Sequence, residues 1–134
     1  MDEKFYTVYH REQTKFLKKE ELDLVFECSE DLKRYEVSEF DYGVHNRYVF
    51  CINNETEVVG VLIYYFNAEG GIWLSKIYVK STCRRKGIAV KLFQELLRLN
   101  KTIDLGINPT NQESMQFFSF LGFKSIYVAY RKSV

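Results

Sequence analysis

Proline is nearly absent from this chain, with one residue in 134, Pro109. Glycine is sparse, with seven. Collagen-like, low-complexity and linker-dominated sequences are excluded by that scarcity. Charge of one sign is lacking too: 19 Lys and Arg stand against 18 Asp and Glu, a formal net charge of +1. A protein-wide pull toward nucleic acid or a membrane surface is therefore not expected, and any anion site has to be local. Cysteine is limited to Cys28, Cys51 and Cys83, an odd number without metal-site spacing. They read as thiols of a reducing compartment, and no metal is expected. No apolar run reaches the ~18 residues of a membrane span. The start carries no signal-peptide pattern, so the expected location is cytoplasmic, with no membrane partner. The phosphate motifs G-x-x-x-x-G-K-[ST] and G-x-G-x-x-G are missing as well.

What is present suits one soluble globular domain, expected over residues 1–134. Ten Tyr, eleven Phe and one Trp predict a core built largely on ring packing. The stretch "KFYTVYH" reads as a strand. In "FLKKEELDLVFEC", Leu22, Val25 and Phe26 keep helical spacing. Ser29, Glu30 and Asp31 suggest the cap of a second short helix to about Glu36. "VSEFDYGVHN" has no period and reads as a loop. "RYVFCI", "VVGVLIYYF" and "IWLSKIYV" then follow as strands separated by the turns "NNETE" and "NAEGG". Turns that short predict antiparallel hairpins. In "IAVKLFQELLRLN", Ala89, Leu92, Phe93, Leu96 and Leu97 form one apolar helical stripe. "TIDLGI" reads as a buried strand. A helix in "NPTNQESMQFFSFLGF" is bounded by a possible Thr110–Glu113 capping box and a stop at Gly122. "FKSIYVAYRKS" closes the chain as a strand or strand pair. The order is that of an α/β or α+β fold, a mixed sheet covered by helices.

Between the third hairpin strand and its helix stands Arg84-Arg85-Lys86-Gly87-Ile88-Ala89. A helix start leaves about four N–H groups without partners and carries about half a positive charge. Gly87 can take a positive φ and lets a ligand approach the backbone. Arginine grips phosphate with two parallel bonds. Strand, basic glycine turn and helix together make a cradle for a phosphate or pyrophosphate. A solvated basic turn is the plain alternative.

The stretch "IYVKSTCRRKGIAVKLFQEL" resembles the cofactor-binding segment of the GNAT superfamily of acetyl-CoA-dependent N-acetyltransferases. There a strand ending in Val precedes a Q/R-x-x-G-x-G/A loop that opens a helix. Here Val79, four residues, and Arg84-x-x-Gly87-x-Ala89 stand in those places. Downstream, Asn111, Ser114, Phe117, Phe118, Gly122 and Phe123 follow the order of a second family motif. Gly60 resembles a glycine of the family's third strand. The likeness runs from about Val58 to Phe123; the first ~50 residues match only in element order.

The resemblance implies a GNAT-type mixed, mostly antiparallel central sheet of six to seven strands, with helices on both faces and a splayed parallel strand pair. Acetyl-CoA would lie as cosubstrate between the splayed strands "IWLSKIYV" and "TIDLGI". Ile77 and Val79 would offer backbone groups to its pantetheine arm, and an N–H near Val79 would polarise the thioester carbonyl. Arg84, Arg85, Lys86, Gly87, Ile88 and Ala89 would hold the pyrophosphate. Asn111 would reach the arm, or serve as a helix cap, or both. The implied reaction is direct transfer of the acetyl group to a primary amine in a ternary complex. Many family members carry a Tyr, four residues before the closing Gly, that protonates the leaving thiolate. Phe118 stands there and has no proton to give. Water or another donor could serve instead, or the protein could bind acyl-CoA without turnover.

The general base is not assigned by residue type. Glu39, Asp41 and His45, in the irregular segment, and Asp104, in the fifth strand, are candidates. A surface histidine is the plain explanation of His45, and His10 carries less weight. Tyr127 and Tyr130 read as core or sheet-face residues, and Cys83 as incidental to the chemistry. The expected partner is a small-molecule or peptide amine, with a homodimer suggested by the short closing segment. The alternatives are a non-catalytic acyl-CoA-binding module on the same fold, a nucleotide or phosphate binder of another fold, and a nucleic-acid binder, which the charge balance disfavours.

Overall fold

A computed structural model of the chain describes residues 6–33, 45–107 and 110–126. The elements are β1 (Thr7–Arg11), a 3-10 turn (Thr14–Phe16), α1 (Lys19–Lys33), β2 (Arg47–Ile52), β3 (Val58–Phe66) and β4 (Ile72–Val79). After them come a second 3-10 turn (Ser81–Cys83), α2 (Ile88–Leu97), β5 (Ile103–Asp104) and α3 (Gln112–Phe120). One mixed sheet runs β1-β2-β3-β4-β5. The first four strands are antiparallel neighbours, and β5 is parallel to β4.

The two hairpin turns close for the same reason. Asn53 Oδ1 accepts from the N–H groups of Glu55 and Glu57, and Asn67 Oδ1 accepts from those of Glu69 and Gly71. An asparagine that holds its own downstream backbone is a turn former by mechanism. At the start of α1 the N–H of Lys18 donates to Glu21 Oε1 at 2.7 Å, half of a capping box.

Strand alternation divides the core between two faces. Tyr48, Phe50, Val61 and Ile63 pack with Leu24, Val25 and Cys28 of α1. Val49, Cys51, Leu62 and Ile72 pack on the other face with Ile88, Leu92, Phe93 and Leu96 of α2 and with Phe118 of α3. Gly60 lets α2 lie close on β3: a Cβ there would come within 2.9 Å of Ile88 Cγ2 and 3.2 Å of Leu92 Cδ1.

Several expectations need correction. The sheet has five strands among the described residues, where six to seven were expected; the closing strand was expected in residues 123–133, and 127–134 lie outside the described part. Ser29 to Asp31 do not cap a second helix, because the backbone of α1 runs through them to Lys33. The stripe of α2 includes Ile88 and omits Leu97, which is 53% exposed. The strand in "TIDLGI" shrinks to Ile103–Asp104, and the cause lies in β4.

Candidate functional site: a gap beside strand β4

The alternation of β4 slips at Ser75. Ile63 pairs with Lys76 and Tyr64 with Leu74, so Ser75 is an extra residue on β4. Before it, Ile72 and Leu74 face α2; after it, Ile77 and Val79 pack toward that same side. A bulge bends the strand that carries it. Pairing of β4 with β5 is confined to Ile72↔Ile103 and Trp73↔Asp104, and the two chains diverge beyond the bulge.

The phase of the hydrogen bonds makes the divergence chemically useful. The N–H of Lys80 donates to the Val59 carbonyl oxygen at 2.9 Å. In an antiparallel ladder that bond flanks a pair that exchanges no bonds of its own, here Gly60↔Val79. The N–H and C=O of Val79 therefore turn away from β3, and so do those of Ile77, which stands in the same phase opposite Leu62. On that side β5 no longer pairs, so these groups face the gap.

The gap opens into a cleft of about 510 Å³, counted to its open mouth. Leu74, Ser75, Lys76 and Ile77 form one wall; Leu105, Gly106 and Ile107 form the other. Asn111, Ser114 and Phe118 of the α3 segment also line it. Lys76 is 9% exposed, and its burial, weakly opposed by Cys28, holds its ammonium pKa below the usual lysine value.

The α3 segment is punctuated at both ends. Asn111 is the N-cap, its Oδ1 accepting from the Ser114 N–H at 3.1 Å, so of the two expected capping residues it is Asn111, and not Thr110, that caps the helix. At the other end Gly122 takes φ 98°, and the N–H of Phe123 donates to the Phe118 carbonyl oxygen at 3.0 Å. That is the six-to-one bond of a Schellman motif, with its usual apolar contact: the Phe118 and Phe123 rings meet edge to face at 5.4 Å. Phe118 is thereby locked in the core, with part of its surface on the cleft.

Beyond Val79 the chain turns into α2. Arg85 and Gly87 take positive φ values of 66° and 78°. Gly87 is the N-cap of α2, which has no side-chain cap and no acidic residue in its first turn. A Cβ at Gly87 would meet nothing within 4 Å, so the space before the helix amides is open. Arg84, Arg85 and Lys86 are exposed around it. Arg84 is also tethered: its Nε donates to the Val79 carbonyl oxygen at 2.9 Å, and its guanidinium lies 5.4 Å from the Tyr78 ring centre.

The structure thus brings Ile77, Asn111 and Phe118 to one cleft, with Val79 next along the strand and Arg84 to Ala89 at its end. Ile88 is buried in the core and contributes backbone only. His45 lies elsewhere, in a hollow with Glu12, Gln13, Arg47 and Phe66. Asp104 pairs beside Trp73 where the strands are still together, and His10 Nε2 lies 3.0 Å from Glu95 Oε1. Glu39, Asp41, Tyr127 and Tyr130 lie outside the described residues. Sequence reasoning placed the opening between "IWLSKIYV" and "TIDLGI", which form its two walls, but did not single out Ser75, Lys76, Leu105, Gly106 or Ile107. The signal for the bulge was present, since Ile72 and Leu74 are even-numbered apolar residues and Ile77 and Val79 odd.

Residues 5–123 match the sequence model of the acetyltransferase (GNAT) family. The chain belongs to that family. Among curated proteins no match to the sequence is found. Solved structures share the GNAT fold at low sequence identity. Ribosomal-protein-alanine N-acetyltransferase from Brucella melitensis biovar Abortus 2308 superposes with a TM-score of 0.69 at 14% identity, over 96% of this chain and 99% of that one. The aminoglycoside N-acetyltransferase AAC(6')-Iy, solved in complex with CoA, gives 0.66 at 15% identity, over 96% and 95%. A tetramutant of the BH1408 protein from Bacillus halodurans gives 0.74 at 11% identity, over 96% and 99%. Among the described residues no helix of this GNAT chain is long and apolar enough to cross a membrane, and no cluster of three or more His, Cys, Asp or Glu could hold a metal ion.

Proposed function

We propose that this chain transfers an acetyl group from acetyl-CoA to a primary amine by direct attack in a ternary complex. The observation that carries the proposal is the gap itself, with the backbone groups of Ile77 and Val79 aimed into it and an uncapped helix start at its end. An arm bearing amides can pair there as an added strand would. Arg85, Lys86 and the amides of Gly87, Ile88 and Ala89 suit the pyrophosphate. The Asn111 side chain, already a cap, is near enough to the cleft to meet the arm as well.

Acetyl-CoA supplies an activated acyl carbon and a thiolate that leaves. The chain's own part begins with positioning, worth up to about 7–11 kcal/mol of the barrier when two reactants are held in line. The Val79 N–H is suited to polarise the thioester carbonyl. The amine nitrogen bonds to the acyl carbon as the carbon–sulfur bond breaks, and solvent takes the proton the amine loses. Phe118 offers no proton to the departing thiolate, so solvent serves it too, and a thiol of pKa about 8.5 is already a fair leaving group near neutral pH. Phe118 also favours a second reading, a non-catalytic acyl-CoA-binding module.

Thermal melting tests the site: acetyl-CoA at ~100 times its Kd should add about 2.7 kcal/mol of stability and raise Tm, and ATP at equal concentration should not. An equal rise with ATP would replace the acetyl-CoA site by a general nucleotide site. Thiol release from acetyl-CoA, followed across a panel of amines, separates the two readings. Tight binding with no release for any amine would favour the module.

A further inference from the structure

At the end of β4 one carbonyl is already taken. Val79's C=O points away from β3 into the gap, where a parallel neighbour would normally bond it, but β5 has stopped pairing at Asp104. The Nε of Arg84 occupies that position at 2.9 Å. The bond closes the turn between strand and helix, which is stitched a second time by the Cys83 N–H on the Lys80 carbonyl oxygen at 2.8 Å. The guanidinium also lies over Tyr78, whose hydroxyl donates to Glu27 of α1 at 2.7 Å. Arg84 therefore links the strand end to the loop before α2 and, through Tyr78, to the helix on the other face of the sheet.

Resting on the acetyl-CoA site proposed above, we infer that Arg84 is a positioning residue that sets the distance between the strand end and the amides of α2, and that the diphosphate is met by Arg85, Lys86 and those amides. Two consequences follow. The arm has the Val79 N–H and both backbone groups of Ile77 to pair with, and the Val79 carbonyl is closed to it. What position 84 needs is an N–H donor of adequate reach, whereas a phosphate grip needs the positive charge.

Replacements that separate donor from charge test this. Arg84→Gln keeps a donor and loses the charge; Arg84→Leu loses both; Arg85→Gln is the comparison. Affinity for acetyl-CoA is measured by calorimetry at ~0.05 M and ~0.5 M salt, since screening weakens contacts between exposed charges. Arg84 is exposed, and the unliganded melting temperature of each variant checks the fold. We expect Arg84→Gln to bind within about threefold of wild type with the same salt response. Arg84→Leu should bind roughly 10- to 100-fold more weakly, the order for losing one charge-assisted hydrogen bond. Arg85→Gln should weaken binding and flatten the salt response. Arg84→Gln behaving like Arg85→Gln would make Arg84 a phosphate ligand and overturn the inference, as would wild-type affinity in both Arg84 variants. A wild-type protein that binds no acetyl-CoA, or binds ATP equally, overturns the proposed function itself and this inference with it.

Discussion

At the scale of single residues, two glycines are needed for different reasons. Gly87 is not needed for room against the rest of the chain, since a Cβ would meet no protein atom within 4 Å; the backbone needs it for φ 78°. Gly87→Ala should therefore cost about 1–2 kcal/mol of stability, the usual penalty of a left-handed residue, and still bind acetyl-CoA. Gly87→Glu places a carboxylate before the helix amides, where an anion has to sit, and should abolish binding. Unchanged affinity for Gly87→Glu by calorimetry would remove the pyrophosphate from this turn. Gly60 is the opposite case. Its Cβ would stand 2.9 Å from Ile88 Cγ2 and 3.2 Å from Leu92 Cδ1, so the side chains that α2 lays on β3 have to give way. Gly60→Ala should cost roughly 1–3 kcal/mol by overpacking, read from chemical denaturation, and should shift the start of α2 enough to weaken acetyl-CoA binding.

At the scale of elements, α3 combines punctuation and function in one residue. Asn111 caps the helix and borders the cleft. Asn111→Ala should cost about 1 kcal/mol through the lost cap. Serine caps about as well as asparagine but reaches less far, so Asn111→Ser should hold stability to within ~0.5 kcal/mol while binding acetyl-CoA more weakly. Denaturation curves and calorimetry on the same two variants decide it. If Asn111→Ser keeps full affinity, Asn111 is a cap and nothing more. The bulge at Ser75 acts at the same scale. It moves the phase of β4 that faces α2 from even to odd positions, and the strand it bends no longer follows β5.

At the scale of the whole molecule, α1 is joined to the edge of the sheet by one buried carboxylate. Glu21, 1% exposed, accepts from the Tyr9 hydroxyl at 2.6 Å, the Lys18 N–H at 2.7 Å and Arg11 Nε at 3.3 Å. Burial by itself pushes the Glu21 carboxyl up; the hydrogen bonds from Tyr9, Lys18 and Arg11, with the Arg11 charge, outweigh it and hold the pKa below the usual glutamate value. Burial and Glu21 together push the Tyr9 hydroxyl up. A carboxyl that is more acidic when folded stabilises the fold fully above its unfolded pKa of about 4.3. That contribution is lost as pH falls from there through the lower folded value. Melting temperature should therefore drop between about pH 5 and pH 3. Glu21→Gln should lower it at neutral pH and flatten the drop. An unaltered acid limb in that variant would assign the acid sensitivity to other carboxylates.

The sequence by itself determined what depends on neighbours along the chain. The hairpins followed from Asn53 and Asn67, which hold their own turns. The stop of α3 followed from Gly122, and the place of the basic turn from the order Val79, Arg84, Gly87, Ala89. The family was legible in the same local patterns, since motif spacing is a property of the chain. The tertiary structure decided what depends on one strand meeting another. It set where β5 stops pairing, which backbone groups are left facing the gap, and which carbonyl Arg84 takes. It also separated Asn111 and Phe118, which line the cleft, from His45 and Asp104, which do not. The physical reason is one of phase. A single extra residue in β4 exchanges the two faces of the sheet for all that follows, and its effect on a parallel neighbour appears only when the two strands lie side by side.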